Sequence, residues 1–233
     1  MIDLSKCGYD AANLFFWVVF PYIAITIFFI GNAFRFFAYP YTWRTKSSEI
    51  LEKKILRPAS LLFHYGIIFA FFGHIIGIVI PKSWTEELGI SEHTYHFLAL
   101  YAGTAAGLMV VAGLILFIYR RLTNPRLLAI TTTMDWVTLF LLLAITALGV
   151  INTIFIQYDY RDTVAPWFRG LWVFTPNYTL MADVPFLLKL HIFLVFVLTS
   201  IFPFTRLVHL LSIPLSYIFR RPIVYRERCP EKG

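Results

Sequence analysis

The chain is predicted to be all-α: an integral membrane bundle of five transmembrane helices, N-terminus outside and C-terminus cytoplasmic. Three observations lead there. Of 233 residues, 59% are hydrophobic and only 14% charged, which is too apolar for a soluble globular domain. Windows of about 20 apolar residues, enough to cross a hydrocarbon core of ~30 Å, fall at 12–34, 58–80, 96–119, 134–156 and 185–212. Lys and Arg alternate between the connecting segments: one before the first window, six in 35–57, one in 81–95, three in 120–133, two in 157–184 and six from 206 onward. Positive charge stays on the cytoplasmic side, and this alternation sets the orientation.

The five windows leave little chain for anything else, so residues 1–233 read as a single transmembrane domain. The first window is expected to be retained rather than cleaved, because Asp3 and Asp10 flank Lys6 ahead of it and the apolar run is too long for a signal peptide. Pro21 lies inside that run and is expected to kink it. Pro58 stands at the opening of the second helix, where its missing N–H does no harm, and Pro81 closes it. In the third helix Ala99, Gly103 and Gly107 recur every fourth residue, with Ala106 and Gly113 nearby, which lets a neighbouring helix approach closely. Thr131, Thr132, Thr133 and Asp135 read as N-capping groups of the fourth helix. The segment 157–184, with Trp167, Trp172 and Tyr178, reads as an aromatic cap at headgroup level.

The net charge of +7 falls mainly on the cytoplasmic face, where anionic headgroups or an acidic partner would meet it, so nucleic-acid binding is not needed to explain it. Cys7 and Cys229 are expected on opposite sides of the membrane. No CxxCH occurs, which excludes the c-type covalent attachment of haem.

The chemistry is carried by His64, His74, His191 and His209, four imidazoles in or at the edge of membrane-spanning windows, where ionisable groups mark function. His64 and His74 are ten residues apart, about 15 Å along an ideal helix and about 80° around it, so they cannot share one metal. His191 and His209 are eighteen apart, about 27 Å and on one face. Pairing by depth gives His64 with His209 on the cytoplasmic side and His74 with His191 toward the outside, each pair holding one haem iron. The unequal spacings strain a straight-helix drawing, and Pro203 is where the strain can be relieved. A bis-histidine haem has no open position and serves electron transfer. Gly66, Gly73 and Gly77 around the helix 2 histidines could make room for a macrocycle or quinone ring, or could serve helix packing. Hydrogen-bonded core histidines or a proton relay are the plainer readings of the four.

The stretch His-Tyr-Gly-Ile-Ile-Phe-Ala-Phe-Phe-Gly-His (64–74), Lys-Leu-His (189–191) and Phe-Pro-Phe-Thr-Arg-Leu-Val-His (202–209), with Tyr-Thr-Trp-Arg (41–44) and Thr-Thr-Thr-Met-Asp (131–135), closely resembles the gamma subunit of membrane-bound respiratory nitrate reductase. The resemblance covers nearly the whole chain. It implies a dihaem cytochrome b in the plasma membrane of a prokaryote, with two haem b on the four histidines paired as above. It further implies quinol oxidation at the outer haem, with electrons passing to an iron–sulfur beta subunit and a molybdenum-containing alpha subunit that reduces nitrate. Some members place a lysine of the loop after helix 2 at the quinol site. Here that loop reads Ser-Glu-His-Thr-Tyr-His (91–96), so His93 or His96, with His74 and Gly73, are the quinol-site candidates. Lys82 reads as a snorkelling anchor. Arg44, Arg121 and Arg206 are candidates to neutralise haem propionates, or simple positive-inside anchors. A related cytochrome b of another complex, such as a sulfur-metabolising one, is the competing reading, and a non-redox transporter or assembly protein the distant one.

Overall fold

In the computed structural model, residues 11–43 and 48–212 are described, and Arg44, Cys7 and Cys229 lie outside them. All regular structure among the described residues is helical. Five helices are long and apolar enough to span a membrane: α1 (Ala11–Ala38), α2 (Leu56–Val79), α4 (Glu92–Thr123), α6 (Thr133–Ile156) and α8 (Phe186–Phe204). Three shorter helices, α3 (Lys82–Glu87), α5 (Pro125–Ile130) and α7 (Val164–Trp172), lie in the connections. The expected spans are all present. Their ends differ by a few residues, and the fifth stops well before residue 212.

α2 packs along α4, α4 against α6, α6 against α8, and α8 against α1. Small residues permit the tightest of these contacts. A Cβ on Gly113 would stand 2.7 Å from the Phe63 nitrogen, and one on Gly66 would stand 2.8 Å from the Ala106 carbonyl oxygen, so α2 and α4 meet backbone to backbone. Gly66 thus serves packing. A Cβ on Gly77 would meet the Tyr95 hydroxyl at 2.5 Å, whereas one on Gly73 would meet nothing within 4 Å.

Pro21 has a specific consequence in α1. It has no N–H to give to the carbonyl four residues back, that of Trp17. The helix widens to a π-turn over Phe15–Val19 just ahead of it. The Trp17 carbonyl then accepts the indole N–H of Trp167 from α7 at 2.8 Å. The two indoles pack edge to face, and Trp167 is only 1% exposed. The 157–184 segment is therefore more than an aromatic cap at headgroup level. Part of it forms α7, which closes one end of the bundle and shares a core with Phe196 and Met181.

At the opposite end Arg120, at the last turn of α4, donates to Glu52 Oε2 at 2.6 Å and to the carbonyls of Ser48 and Glu52. Burial alone would raise the Glu52 carboxyl, but the Ile55 and Leu56 N–H groups and Arg120 hold it below the ordinary carboxylate range. α6 opens on a capping box: Asp135 N–H donates to Thr132 Oγ1 and Thr132 N–H donates to Asp135 Oδ2. The expected caps are thus realised by Thr132 and Asp135.

α8 does not run on to His209. Its last turn is a 3₁₀ segment over Phe202–Phe204, Thr205 is extended, and a separate 3₁₀ turn, Arg206–Leu210, carries the histidine. Pro203 is buried against Gly31 of α1, and Arg35 donates to its carbonyl.

Candidate functional site

α2 and α8 are not close-packed against each other, yet histidines from both meet at two levels. The ring centres of His64 and His209 are 6.2 Å apart. Those of His74 and His191 are 6.4 Å apart, with planes 16° from parallel. The depth pairing expected from sequence is the pairing the fold brings together. The break after Phe204 explains how: an eighteen-residue separation along α8 is shortened to match a ten-residue rise along α2.

Each imidazole is oriented by a main-chain carbonyl. Nδ1 of His64 lies 2.8 Å from Ser60 O, that of His74 is 2.6 Å from Ala70 O, that of His191 is 2.9 Å from Ile145 O, and that of His209 is 2.7 Å from Arg206 O. A carbonyl oxygen only accepts, so Nδ1 carries a proton in all four, and in the neutral ring Nε2 is then the nitrogen with the lone pair. An imidazole that binds a metal through Nε2 has this tautomer, and its other nitrogen is usually held by an acceptor in this way. Two imidazoles bound on opposite sides of one metal, with metal–nitrogen bonds of about 2.0–2.1 Å, put their ring centres roughly 6–6.5 Å apart. Both pairs meet that spacing. His64 with His209, and His74 with His191, could each hold one metal between their two rings.

Gly149, which nothing in the sequence singles out, lines the His191 site: a Cβ there would stand 3.2 Å from His191 Cε1. It lies one turn after Ile145, and that placement acquires meaning only once α6 and α8 are known to pack.

The arginines divide. Arg206 donates Nε to Asp135 Oδ1 at 2.7 Å and Nη2 to Oδ2 at 2.6 Å, a bidentate pair joining α6 to the His209 turn. Arg121 is 7% exposed, and its one side-chain hydrogen bond among the described residues is a long one, 3.4 Å, to Phe117 O.

Beyond His74, at the end closed by α3 and α7, lies a polar cluster. Tyr95 and Tyr160 share a 2.7 Å hydrogen bond over Gly77, and burial drives the Tyr160 phenol far above its ordinary value. The Arg161 guanidinium sits 4.0 Å over the Tyr95 ring and donates to Thr85 and Glu92. Lys82 does not merely snorkel: it pairs with Asp162 at 3.3 Å and Glu92 at 3.6 Å, and the Asp162 hydrogen bond raises its pKa. His96 Nε2 is 3.2 Å from Glu92 Oε1, whereas His93 is exposed with no side-chain hydrogen bond among the described residues. The ligand atoms of Glu92, His96 and Asp159 lie within 4.8 Å of one another. Arg161 and Lys82 both pair with Glu92 Oε2, while Oε1 faces His96, which makes the cluster an ion-pair network.

Fold and site define a five-span α-helical membrane protein with two cross-helix imidazole pairs at different depths. Residues 13–228 match the nitrate reductase gamma subunit family, and the chain belongs to that family. It is 44% identical over 217 residues to the nitrate reductase gamma chain of Bacillus subtilis (strain 168), covering 91% of this chain and 97% of that one. It is 36% identical over 222 residues to the respiratory nitrate reductase 1 gamma chain of Escherichia coli (strain K12), covering 93% and 98%. It is also 41% identical over 226 residues to the nitrate reductase-like protein NarX of Mycobacterium tuberculosis, where 94% of this chain spans 34% of the relative's length.

Proposed function

We propose that this chain is the membrane anchor and quinol-oxidising subunit of a respiratory nitrate reductase, a dihaem cytochrome b in the plasma membrane of a prokaryote. The observation that carries the proposal is the pair of imidazole couples at 6.2 and 6.4 Å, each ring held in the Nε2-ligating tautomer. His64 with His209, and His74 with His191, would each hold one haem b. When bound, the two haems supply one-electron carriers at two depths, between quinol and an iron–sulfur beta subunit that feeds a molybdenum-containing alpha subunit.

The alternation of Lys and Arg supports a cytoplasmic C-terminus, so the end closed by α3 and α7 faces outside and His74 with His191 is the outer pair. Quinol approaches there. Gly73, with nothing within 4 Å of its would-be Cβ, leaves room beside His74 for a flat ring. His96 takes a quinol proton, and Glu92 at 3.2 Å stabilises the imidazolium that results. His93 has no such carboxylate and is the weaker candidate. At the other end Arg121, buried with a single long bond, is the better propionate partner, because Arg206 is engaged by Asp135.

A quinol analogue added to membranes containing this chain with its partners should reduce a b-type absorption band that nitrate rapidly reoxidises. A reduced band indifferent to nitrate would assign the cytochrome to another complex. No band at all would refute the haem reading.

A further inference from the structure

We propose that Asp135 is a positioning residue for His209, acting through Arg206, and that α6, which bears no histidine, orients both histidines of the α8 segment. The inference rests on the reading of His209 as a haem ligand.

His209 stands on a five-residue 3₁₀ turn after the chain has left α8, an element too short to hold its own geometry. External contacts hold it. Val208 is fully buried, and Thr205 adds the turn's own cap, its Oγ1 accepting from Leu207 N–H at 3.1 Å. The strongest contact is the bidentate bond from Arg206 to Asp135, with both N–O distances at or below 2.7 Å. The same residue turns its carbonyl to His209 Nδ1 at 2.7 Å. A continuous path thus runs from the Asp135 carboxylate to the imidazole, with the guanidinium of Arg206 on one side and its carbonyl on the other. Asp135 is rigid in turn because the capping box with Thr132 fixes it at the first turn of α6.

Ile145, whose carbonyl orients His191, lies ten residues further along α6. His64 and His74 are also ten residues apart on α2. α2 therefore presents its two ligands, and α6 its two orienting groups, with the same rise of about 15 Å. The α8 segment, whose histidines are eighteen residues apart, is brought into register by these two attachments. The aspartate of Thr-Thr-Thr-Met-Asp thereby serves twice, capping a helix and placing a ligand.

The test uses the chain with its partner subunits in membranes, comparing wild type, His209→Ala, Asp135→Asn, Arg206→Gln and Arg206→Lys. Asparagine keeps an oxygen that can accept from Thr132 N–H, so Asp135→Asn removes the charge while sparing the start of α6. Haem per chain, the potentiometric titration of the two b components and their low-spin spectra are read. Loss of a group that orients a metal ligand weakens binding about ten- to hundredfold. We expect Asp135→Asn and Arg206→Gln to lose or shift the component that His209→Ala abolishes, leaving the other unchanged, with Arg206→Lys between them and wild type. Two components with wild-type content and potential in both Asp135→Asn and Arg206→Gln would overturn the proposal, as would a change confined to the His74–His191 component. If His209→Ala itself retained both haems, the ligand reading, and not the positioning step, would have failed.

Discussion

His191 donates its Nδ1–H across the bundle to the main-chain carbonyl of Ile145, 46 residues away in sequence, at 2.9 Å. The donor and the acceptor belong to different spans, so the orientation of this ring depends on how α6 and α8 pack. The other three histidines bond to carbonyls three or four residues before them. His191 is consequently the imidazole most sensitive to side-chain volume on α6.

Gly149 is where that sensitivity can be measured. A methyl group there would sit 3.2 Å from the ring, and the branched side chain of Gly149→Val would push the ring off the Ile145 carbonyl. Redox titration of membranes carrying Gly149→Val should show the His74–His191 component shifted or lost, with the His64–His209 component intact. Gly149→Ala should fall between. A wild-type titration for the valine variant would refute the orienting role.

The contact between α2 and α4 predicts a sharp contrast among glycines. Gly113→Ala forces its Cβ against Phe63 N and Ala59 O, main-chain atoms that cannot swing away, and overpacking of this kind costs about 1–3 kcal/mol. Gly73→Ala meets nothing. Thermal unfolding in detergent should show a lowered midpoint for Gly113→Ala and an unchanged one for Gly73→Ala.

Trp167→Phe leaves the Trp17 carbonyl without the donor that replaces the N–H missing at Pro21. An unsatisfied buried carbonyl costs about 1–3 kcal/mol. Adding Pro21→Ala returns a main-chain N–H to that carbonyl, so the double variant should recover part of the loss. Additive losses in the unfolding cycle would show that the two residues are not coupled.

Glu52 makes the end of the bundle opposite α7 sensitive to acid. Its folded-state pKa lies below the ordinary 4.5, so its stabilising contribution is fully present above that value and is lost as pH falls through the depressed folded value. Unfolding of wild type should become easier on acidification below about 4.5, and Glu52→Gln should be less stable near neutrality while losing that part of the acid dependence.

His96→Ala and Glu92→Gln should both slow quinol oxidation while the haem spectra stay unchanged, because the 3.2 Å pair supplies the proton acceptor and its counter-charge. His93→Ala should have the smaller effect. Equal, wild-type turnover in all three would remove this cluster from the quinol reaction.

The spans and the histidines on them were legible in the residues alone. Bilayer thickness imposes runs of about 20 apolar residues, and hydrocarbon makes every imidazole conspicuous, so both are local properties of the chain. The capping role of Asp135 and the pairing by depth follow from equally local signals. The break in the chain after Phe204 falls beside Pro203, where the unequal histidine spacing points. Three things had no such signature: the indole of Trp167 taking up the carbonyl that Pro21 leaves, the closeness of Gly149 to His191, and the engagement of Arg206 by Asp135. Each needs segments far apart in sequence to meet. A carbonyl or a guanidinium in a membrane must find a partner, but only the packing of α6, α7 and α8 determines that these residues are the ones that meet.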